Sequence, residues 1–193
     1  MTFDLEELPH LADIFQRLRG GKHLCAEDGP LFIALNARYA SFAAFFAAIG
    51  FDLVKHERGF CYFRAEAELG KEATQLAVFF FVLMEAWSDA GKDVEETAFA
   101  ESGHRCSELP HLSRESWRQC MAEAGIDNPD KLNGLLRRMK HYGFTEWIDD
   151  DSFRFRTPAW RFFDLCDEIV KEAAASAAED AASSASESRE ADT

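Results

Sequence analysis

The pattern that most constrains this chain is a pair of helices followed by two short strands, because it occurs twice. The strands are predicted at residues 51–57 and 60–66 around Arg58-Gly59, and at residues 144–149 and 152–156 around Asp150-Asp151. Apolar and polar residues alternate there, as in strands with one buried face. A helix pair closed by a β-hairpin is the outline of a winged helix, a module that docks on nucleic acid or protein. The sequence therefore predicts a mainly α protein with small β-hairpins, built as tandem winged-helix domains.

The predicted domain boundaries follow this repeat. We expect an N-terminal winged-helix domain at residues 1–68 and a C-terminal one, which includes a long spine helix, at residues 69–171. Residues 172–193 are Ala, Ser, Glu and Asp with a single Arg, a final Thr and no aromatic side chain. Such a segment cannot bury enough apolar surface to offset the entropy of ordering it, so a disordered acidic tail is predicted.

The helix predicted at residues 71–90 has a centre, residues 77–84, that is apolar on every side. A helix of this kind must be surrounded by protein, so we expect it to be either the spine between the two domains or the seam of an oligomer. A homodimer is predicted, with a contact that involves the first domain and this helix. The candidate seam residues are Phe79, Phe80, Phe81, Leu83 and Met84.

The charge of the chain limits how it meets nucleic acid. The formal net charge is −14, of which residues 172–193 contribute −5, so the remaining body carries −9. Phosphates repel such a body, and any DNA contact must come from a local basic strip. The candidate contacts are Arg114, Arg118, Lys131, Arg137, Arg138 and Lys140, with His141 beside them. Weak, non-specific binding of double-stranded DNA is expected; a solvated basic face that pairs with acids is the alternative.

No residue pattern predicts catalysis, a cofactor or a metal. The zinc-binding side chains are His23 with Cys25, and His104, Cys106, His111 and Cys120, but no CxxC motif or compact four-ligand spacing connects them. Cys25 and His23 resemble a thiol and its base, yet they lie in a predicted loop that does not orient them. Gly20-Gly21-Lys22 lacks the GxxxxGK[ST] phosphate loop. We therefore predict that the protein is not an enzyme and has no cofactor.

The remaining composition favours a cytoplasmic protein. The five cysteines are odd in number and widely spaced, as in buried cytosolic thiols. The first residues are acidic and do not resemble a signal peptide. The longest apolar run, residues 76–84, is far shorter than the roughly 20 residues that a membrane span needs. We expect no contact with a membrane.

Three segments, residues 21–31, 50–63 and 77–85, resemble the MksE and MukE-like subunits of bacterial condensins, and the resemblance covers residues 5–170. It implies a tandem winged-helix "kite" subunit without enzymatic activity in an MksBEF-like or MukBEF-like condensin. Such a subunit would dimerise, bind the kleisin, and through it regulate an SMC-like ATPase that entraps DNA. The implied role is chromosome organisation and segregation on the nucleoid, or plasmid defence in systems with an added nuclease subunit.

The alternative is a stand-alone winged-helix transcription regulator. Its wings would be expected to carry Lys or Arg toward DNA. The acidic body and the three acids at residues 149–151, on the predicted second wing, weigh against it.

Overall fold

The structure is a computed structural model, which describes residues 8–64 and 71–166. It divides into two compact units, one that runs to Ala159 and one that begins at Trp160. In the second unit, residues 160–166 are helical, and the rings of Trp160 and Phe163 lie 5.7 Å apart. The predicted tail at residues 172–193, like the predicted boundary at residue 68, lies outside the described residues.

Residues 8–64, here called the N-terminal half of the first unit, contain three helices and a three-stranded antiparallel sheet. Strand β3 is central, in the order β1-β3-β2, and Leu24 on β1 and Lys55 on β2 both lie opposite Cys61. The elements are α1 Leu11–Arg19, β1 Leu24–Cys25, a 3-10 turn Ala26–Asp28, α2 Pro30–Ala37, α3 Tyr39–Ala48, β2 Leu53–His56 and β3 Phe60–Phe63.

Residues 71–159, the C-terminal half, repeat this order with one added short helix. The second sheet has the order β4-β6-β5, so its last strand in sequence is again central and antiparallel to both neighbours. The helices are α4 Lys71–Asp89, α5 Val94–Ala98, α6 Glu115–Glu123 and α7 Pro129–Tyr142. The strands are β4 His104–Arg105, β5 Thr145–Trp147 and β6 Ser152–Phe155, with 3-10 turns at Cys106–Glu108, Pro110–Leu112 and Thr157–Ala159.

The mainly α fold with two hairpins is confirmed, but the structure adds one strand to each sheet. Strands β1 and β4 lie where the sequence predicts loops. Each is two residues long, and so short a segment carries no alternation of apolar and polar residues from which a strand can be predicted. They form because β3 and β6 each offer a second edge for pairing.

Local signals in the sequence fix the ends of α7, the helix that matters most for the site described below. The Asn128 side chain accepts a hydrogen bond from the backbone N–H of Lys131 at 3.0 Å, and Pro129 occupies the first turn. Gly143 ends the helix with a positive φ of 82°, a conformation that other residues rarely adopt. Asp127-Asn128 before Pro129 predicts the start of this helix from the sequence, and Gly143 predicts its end. The structure confirms both.

The two halves have separate aromatic cores. In the N-terminal half, Phe46 is fully buried, and its ring lies 5.0 Å from Phe63 and 5.8 Å from Phe15. In the C-terminal half, Phe80 on α4 is fully buried, and its ring packs on Phe155 of β6 at 5.1 Å. Within the described residues no single helix is long and apolar enough to cross a membrane; α2 and α3 meet that test only together, and they are bent by 85°.

Candidate functional site

A basic cleft lies where the end of α1 meets the end of α7. Its volume is about 510 Å³. Arg17 and Lys22 come from the N-terminal half, and Arg137 and Lys140 come from α7; Gln16, Gly20 and His141 complete the lining. Four cations around one cavity form a local positive surface on an acidic chain, which favours a ligand with several negative charges.

Close contacts between the two helix ends shape the cleft. Gly20 and Gly21 stop α1, and His141 Nε2 lies 3.1 Å from the carbonyl oxygen of Gly20. Gly21 has a φ of 83°, and a Cβ placed there would lie 3.1 Å from the ring of Tyr142. Glycine at position 21 therefore allows both the turn and the close approach of α7.

Four of the six predicted DNA contacts are engaged by polar groups of the same chain. The nearest partners are Asp89 for Arg114, Glu115 for Arg118, Asp127 for Lys131 at 2.6 Å, and Gln75 for Arg138 at 2.8 Å. Arg114 also lies 4.7 Å from the Trp117 ring, and Arg118 donates to the carbonyl oxygen of Leu112. These four cations have the pairing that the alternative prediction expects, and their contact with DNA remains a prediction.

Arg137 and Lys140 differ from the other four. Both are exposed on α7, and among the described residues neither has an ion-pair partner. They are the members of the predicted strip that remain open to a ligand, and Arg17 and Lys22 join them from the other half. DNA contact itself remains a prediction.

Beside the cleft, a buried ion pair joins the two halves. Arg156, just after β6, and Asp28, just before α2, have side chains that are 8% and 5% exposed, and Arg156 Nη2 lies 2.9 Å from Asp28 Oδ2. The same carboxylate accepts from Lys22 Nζ at 2.8 Å and from the backbone N–H of Cys25 at 3.1 Å. Nearby, Thr157 donates to Glu27 through its hydroxyl at 3.0 Å.

The surroundings of Asp28 and Cys25 set their protonation. Burial by itself raises the pKa of Asp28, but the hydrogen bond from Lys22 and the charge of Arg156 outweigh it and hold the pKa below its usual value of 3.8. Asp28 is therefore ionised at neutral pH. Burial raises the pKa of the Cys25 thiol, and a protonated thiol is a poor nucleophile. The Cys25 Sγ atom lies 3.3 Å from Arg156 Nη2 and 3.6 Å from Asp28 Oδ2, so this thiol is part of the buried polar cluster.

His23 packs between the halves. Its backbone N–H donates to the carbonyl oxygen of Tyr142 at 2.9 Å, and its ring lies 4.9 Å from Tyr62 and 4.7 Å from Phe144. No three His, Cys, Asp or Glu residues in the described part of the chain converge to hold a metal ion. Burial lowers the pKa of both His104 and His111, which favours their neutral forms.

The predicted dimer seam is partly internal to one chain. One side of α4 is fully buried in the core of the C-terminal half, and it carries Phe79, Phe80 and Leu83. On this side the chain itself supplies the protein that was expected to surround the helix. Met84 is half-buried. Phe81 is 51% exposed, and it is the seam residue most accessible to a second copy. Dimerisation remains a prediction.

Sequence reasoning missed both the Arg156–Asp28 pair and the contribution of Arg17 and Lys22 to the cleft. Alternation along β6 places Phe153 and Phe155 inside and Arg154 outside, so the next residue, Arg156, would be expected to face solvent. Its burial depends on the partner carboxylate, which lies 128 positions earlier in the chain. No local signal connects residues so distant.

Comparison with known proteins places this fold in a family. A search of curated proteins found no match. The family model described as "Condensin complex protein MksE" matches residues 9–166, which include both halves and both sheets. The match covers well over half of the chain, so this chain belongs to the MksE family of condensin complex proteins.

Proposed function

We propose that this protein is the non-catalytic kite subunit of an MksBEF-like or MukBEF-like condensin, built from tandem winged-helix domains. In this role it dimerises, binds the kleisin, and through the kleisin regulates the SMC-like ATPase that entraps DNA on the nucleoid. The observation that carries the proposal is the repeated topology. Helix, strand, two helices and a hairpin occur twice, with sheet orders β1-β3-β2 and β4-β6-β5, within the residues that the family model matches.

The two copies differ in the helix that precedes the hairpin. In winged-helix proteins this is the recognition helix, which contacts nucleic acid. In the C-terminal half it is α7, which carries Arg137 and Lys140 into the basic cleft. In the N-terminal half it is α3, which contains no charged side chain. We therefore assign DNA contact to α7 and protein contact to the N-terminal half.

The dimer contact is proposed on the N-terminal half together with the exposed side of α4. Ile33 and Ile49, at the exposed side of α2 and just after α3, are 66% and 47% exposed, and Phe81 on α4 is 51% exposed. Large apolar side chains that are accessible on elements of this kind favour contact with another protein surface. A second copy of the chain is the occupant we propose.

Two exposed isoleucines, one in each half, provide a matched test of the dimer. Ile49→Asp places a charge in the proposed contact, and Ile148→Asp places the same charge on the second hairpin, where the exposed fraction is 51%. We expect light scattering to report a monomer for Ile49→Asp and a dimer for both Ile148→Asp and the unaltered protein. A monomeric unaltered protein, or equal behaviour of the two variants, would contradict the proposed contact.

Affinity capture of the tagged full chain from its native cells, followed by mass spectrometry, tests the function itself. We expect a kleisin and an SMC-like ATPase in the captured material. A nuclease subunit captured with them would assign the complex to plasmid defence, and its absence would favour chromosome organisation and segregation. If neither kleisin nor ATPase is enriched over an untagged control, the condensin role is wrong.

The stand-alone regulator is the second candidate, because the basic cleft on α7 is a feature that DNA-binding proteins share. The tip of the second hairpin argues against it. Asp149 and Asp150 are exposed there, where a DNA-binding wing would carry cations. A footprint of the isolated protein on one operator sequence, at nanomolar affinity in physiological salt, would favour the regulator.

A further inference from the structure

Two of the four cations of the basic cleft also bind the buried carboxylate that joins the halves. Lys22 Nζ lies 2.8 Å and Arg17 Nη1 lies 3.9 Å from the same oxygen, Asp28 Oδ1. Their side chains are 21% and 46% exposed, so both are accessible from the cleft that they line. The Asp28 carboxylate is 5% exposed and lies behind them.

The two oxygens of Asp28 have different partners. Oδ2 accepts from Arg156 Nη2 at 2.9 Å and from the backbone N–H of Cys25 at 3.1 Å, whereas Oδ1 faces Lys22 and Arg17. Arg156 can therefore stay paired while Lys22 moves toward another anion. The buried ion pair that joins the halves and the cations of the cleft therefore depend on the same carboxylate, that of Asp28.

We propose that Asp28 restrains Lys22 and Arg17 and thereby sets the affinity of the cleft for the phosphates of duplex DNA. This inference rests on the DNA contact proposed above. A phosphate in the cleft competes with Asp28 Oδ1 for the same cations, because a cation that is shared between two anions interacts less strongly with each. Arg137 and Lys140 have no such competitor among the described residues, so they supply the first contacts.

Removal of the competing charge should strengthen binding. In Asp28→Asn, Lys22 and Arg17 are free to meet phosphates, and each added phosphate contact steepens the dependence of log K on log salt by about 0.9. We expect a tighter Kd for a short duplex of arbitrary sequence, by about fivefold or more, which is the lower range of measured couplings between sites. The readout is fluorescence anisotropy of the labelled duplex at a series of salt concentrations.

A matched control separates this effect from net charge. Asp52, just before β2, pairs with Arg64, just after β3, at 2.7 Å, and both side chains are exposed, at 63% and 68%. Asp52→Asn therefore changes the charge by the same amount and releases one arginine away from the cleft. We expect its DNA affinity and salt slope to stay close to those of the unaltered protein.

Two further variants keep the proposal falsifiable. Asp28→Asn leaves Arg156 buried without its counter-charge, so the double variant Asp28→Asn with Arg156→Met removes both charges and serves if the single variant does not fold. Adding Lys22→Met to either background should abolish most of the gain in affinity, as a double-mutant cycle requires if Lys22 transmits the effect.

The proposal is overturned if Asp28→Asn binds DNA no more tightly than Asp52→Asn, if the gain persists when Lys22 and Arg17 are both replaced by Met, or if no variant binds DNA at low salt. These outcomes are independent of the capture experiment. If the kleisin and the ATPase are captured but Asp28→Asn does not change the affinity for DNA, this inference alone is overturned. Their absence would overturn the proposed function.

Discussion

The N-terminal and C-terminal halves have the same order of elements but present different surfaces. Helices α2 and α3 contain no charged residue within their bounds, whereas α6 and α7 carry several cations and acids. The helix before the hairpin is therefore apolar in one half and basic in the other. The difference teaches that a repeated fold supplies a common frame, and that the side chains at equivalent positions give each copy a different surface.

The two halves are joined by polar contacts even though each has its own sheet and its own aromatic core. Arg156, His23 and His141 all take part in contacts between them. A buried ion pair contributes little net stability when it is intact, but removal of one partner leaves a buried charge and is costly. The halves should therefore unfold together.

The largest effect is expected from a core truncation in the N-terminal half. Phe46→Ala removes a fully buried ring, and such changes lower the free energy of unfolding by about 3–5 kcal/mol. All four tryptophans follow residue 86, so tryptophan fluorescence follows the unfolding of the chain beyond the N-terminal half and does not report on that half directly. If the halves are coupled, the denaturation midpoint followed by fluorescence falls with Phe46→Ala and stays nearly constant with Ile148→Ala, a control at a side chain that is 51% exposed and lies outside the proposed dimer contact. If the midpoint followed by fluorescence does not change with Phe46→Ala, the two halves unfold independently.

The sequence predicted the frame of both halves better than it predicted the contacts between them. Hairpins, the stop at Gly143 and the cap at Asn128 follow from local alternation and turn chemistry, and the structure has them. The three- and four-residue spacing of the apolar residues from Leu5 to Leu18 predicts an amphipathic helix there. Within the described residues, which start at Leu8, this helix begins at Leu11, after His10 with a positive φ of 59°. Apolar spacing predicted the face of this helix, but it could not give its first residue, because backbone conformation at the end of a helix depends on neighbouring packing.

The candidate site was predicted on α7 and missed on α1. Cations clustered on one helix are visible in the sequence, whereas the polar groups that engage them are often distant; Arg138 contacts Gln75, 63 positions away. The sequence could not separate Arg137 and Lys140, which stay open, from Arg138, which does not. Charge clustering predicts where a basic surface lies, and only the packed structure decides which cations remain accessible.

A change at the joint tests its strength and its pH dependence. Asp28→Asn should lower the free energy of unfolding by on the order of 3 kcal/mol at neutral pH, because Arg156 stays buried without a counter-charge. The folded-state pKa of Asp28 lies below 3.8, so the unfolded state binds more protons near that pH. The stabilisation is complete well above pH 3.8 and is lost as the pH falls through the lower, folded-state value.

Urea denaturation of both proteins at pH 7 and at stepwise lower pH measures this difference. We expect the gap between the two unfolding free energies to be constant above about pH 5 and to narrow below about pH 4. A gap that widens as the pH falls would contradict this account, because it would mean that the pKa of Asp28 is higher in the folded state than in the unfolded state. Asp52→Asn, at an exposed pair, should cost less than about 1 kcal/mol at every pH.

A smaller effect is expected from the exposed cations of α7. The slope of log K against log salt falls by about 0.9 for each phosphate that the protein no longer neutralises, so Arg137→Ala and Lys140→Ala should each reduce it by about one. Lys131→Ala is the matched control, because Lys131 on the same helix is paired with Asp127 at 2.6 Å. Filter binding of duplex DNA across a salt series distinguishes the variants. An equal reduction of the slope for Lys131→Ala would contradict this distinction, because it would mean that the paired cations of the predicted strip also contact DNA.

Hydrogen–deuterium exchange of the full chain, with and without duplex DNA at low salt, tests the division of roles between the halves most directly. We predict slower exchange in peptides that cover residues 16–24 and 134–143, where the two helix ends form the cleft, and unchanged exchange at residues 30–48, which contain α2 and α3. Protection at residues 30–48 without protection at the cleft would contradict this proposed division, because the apolar helices α2 and α3 would then be the ones that meet DNA.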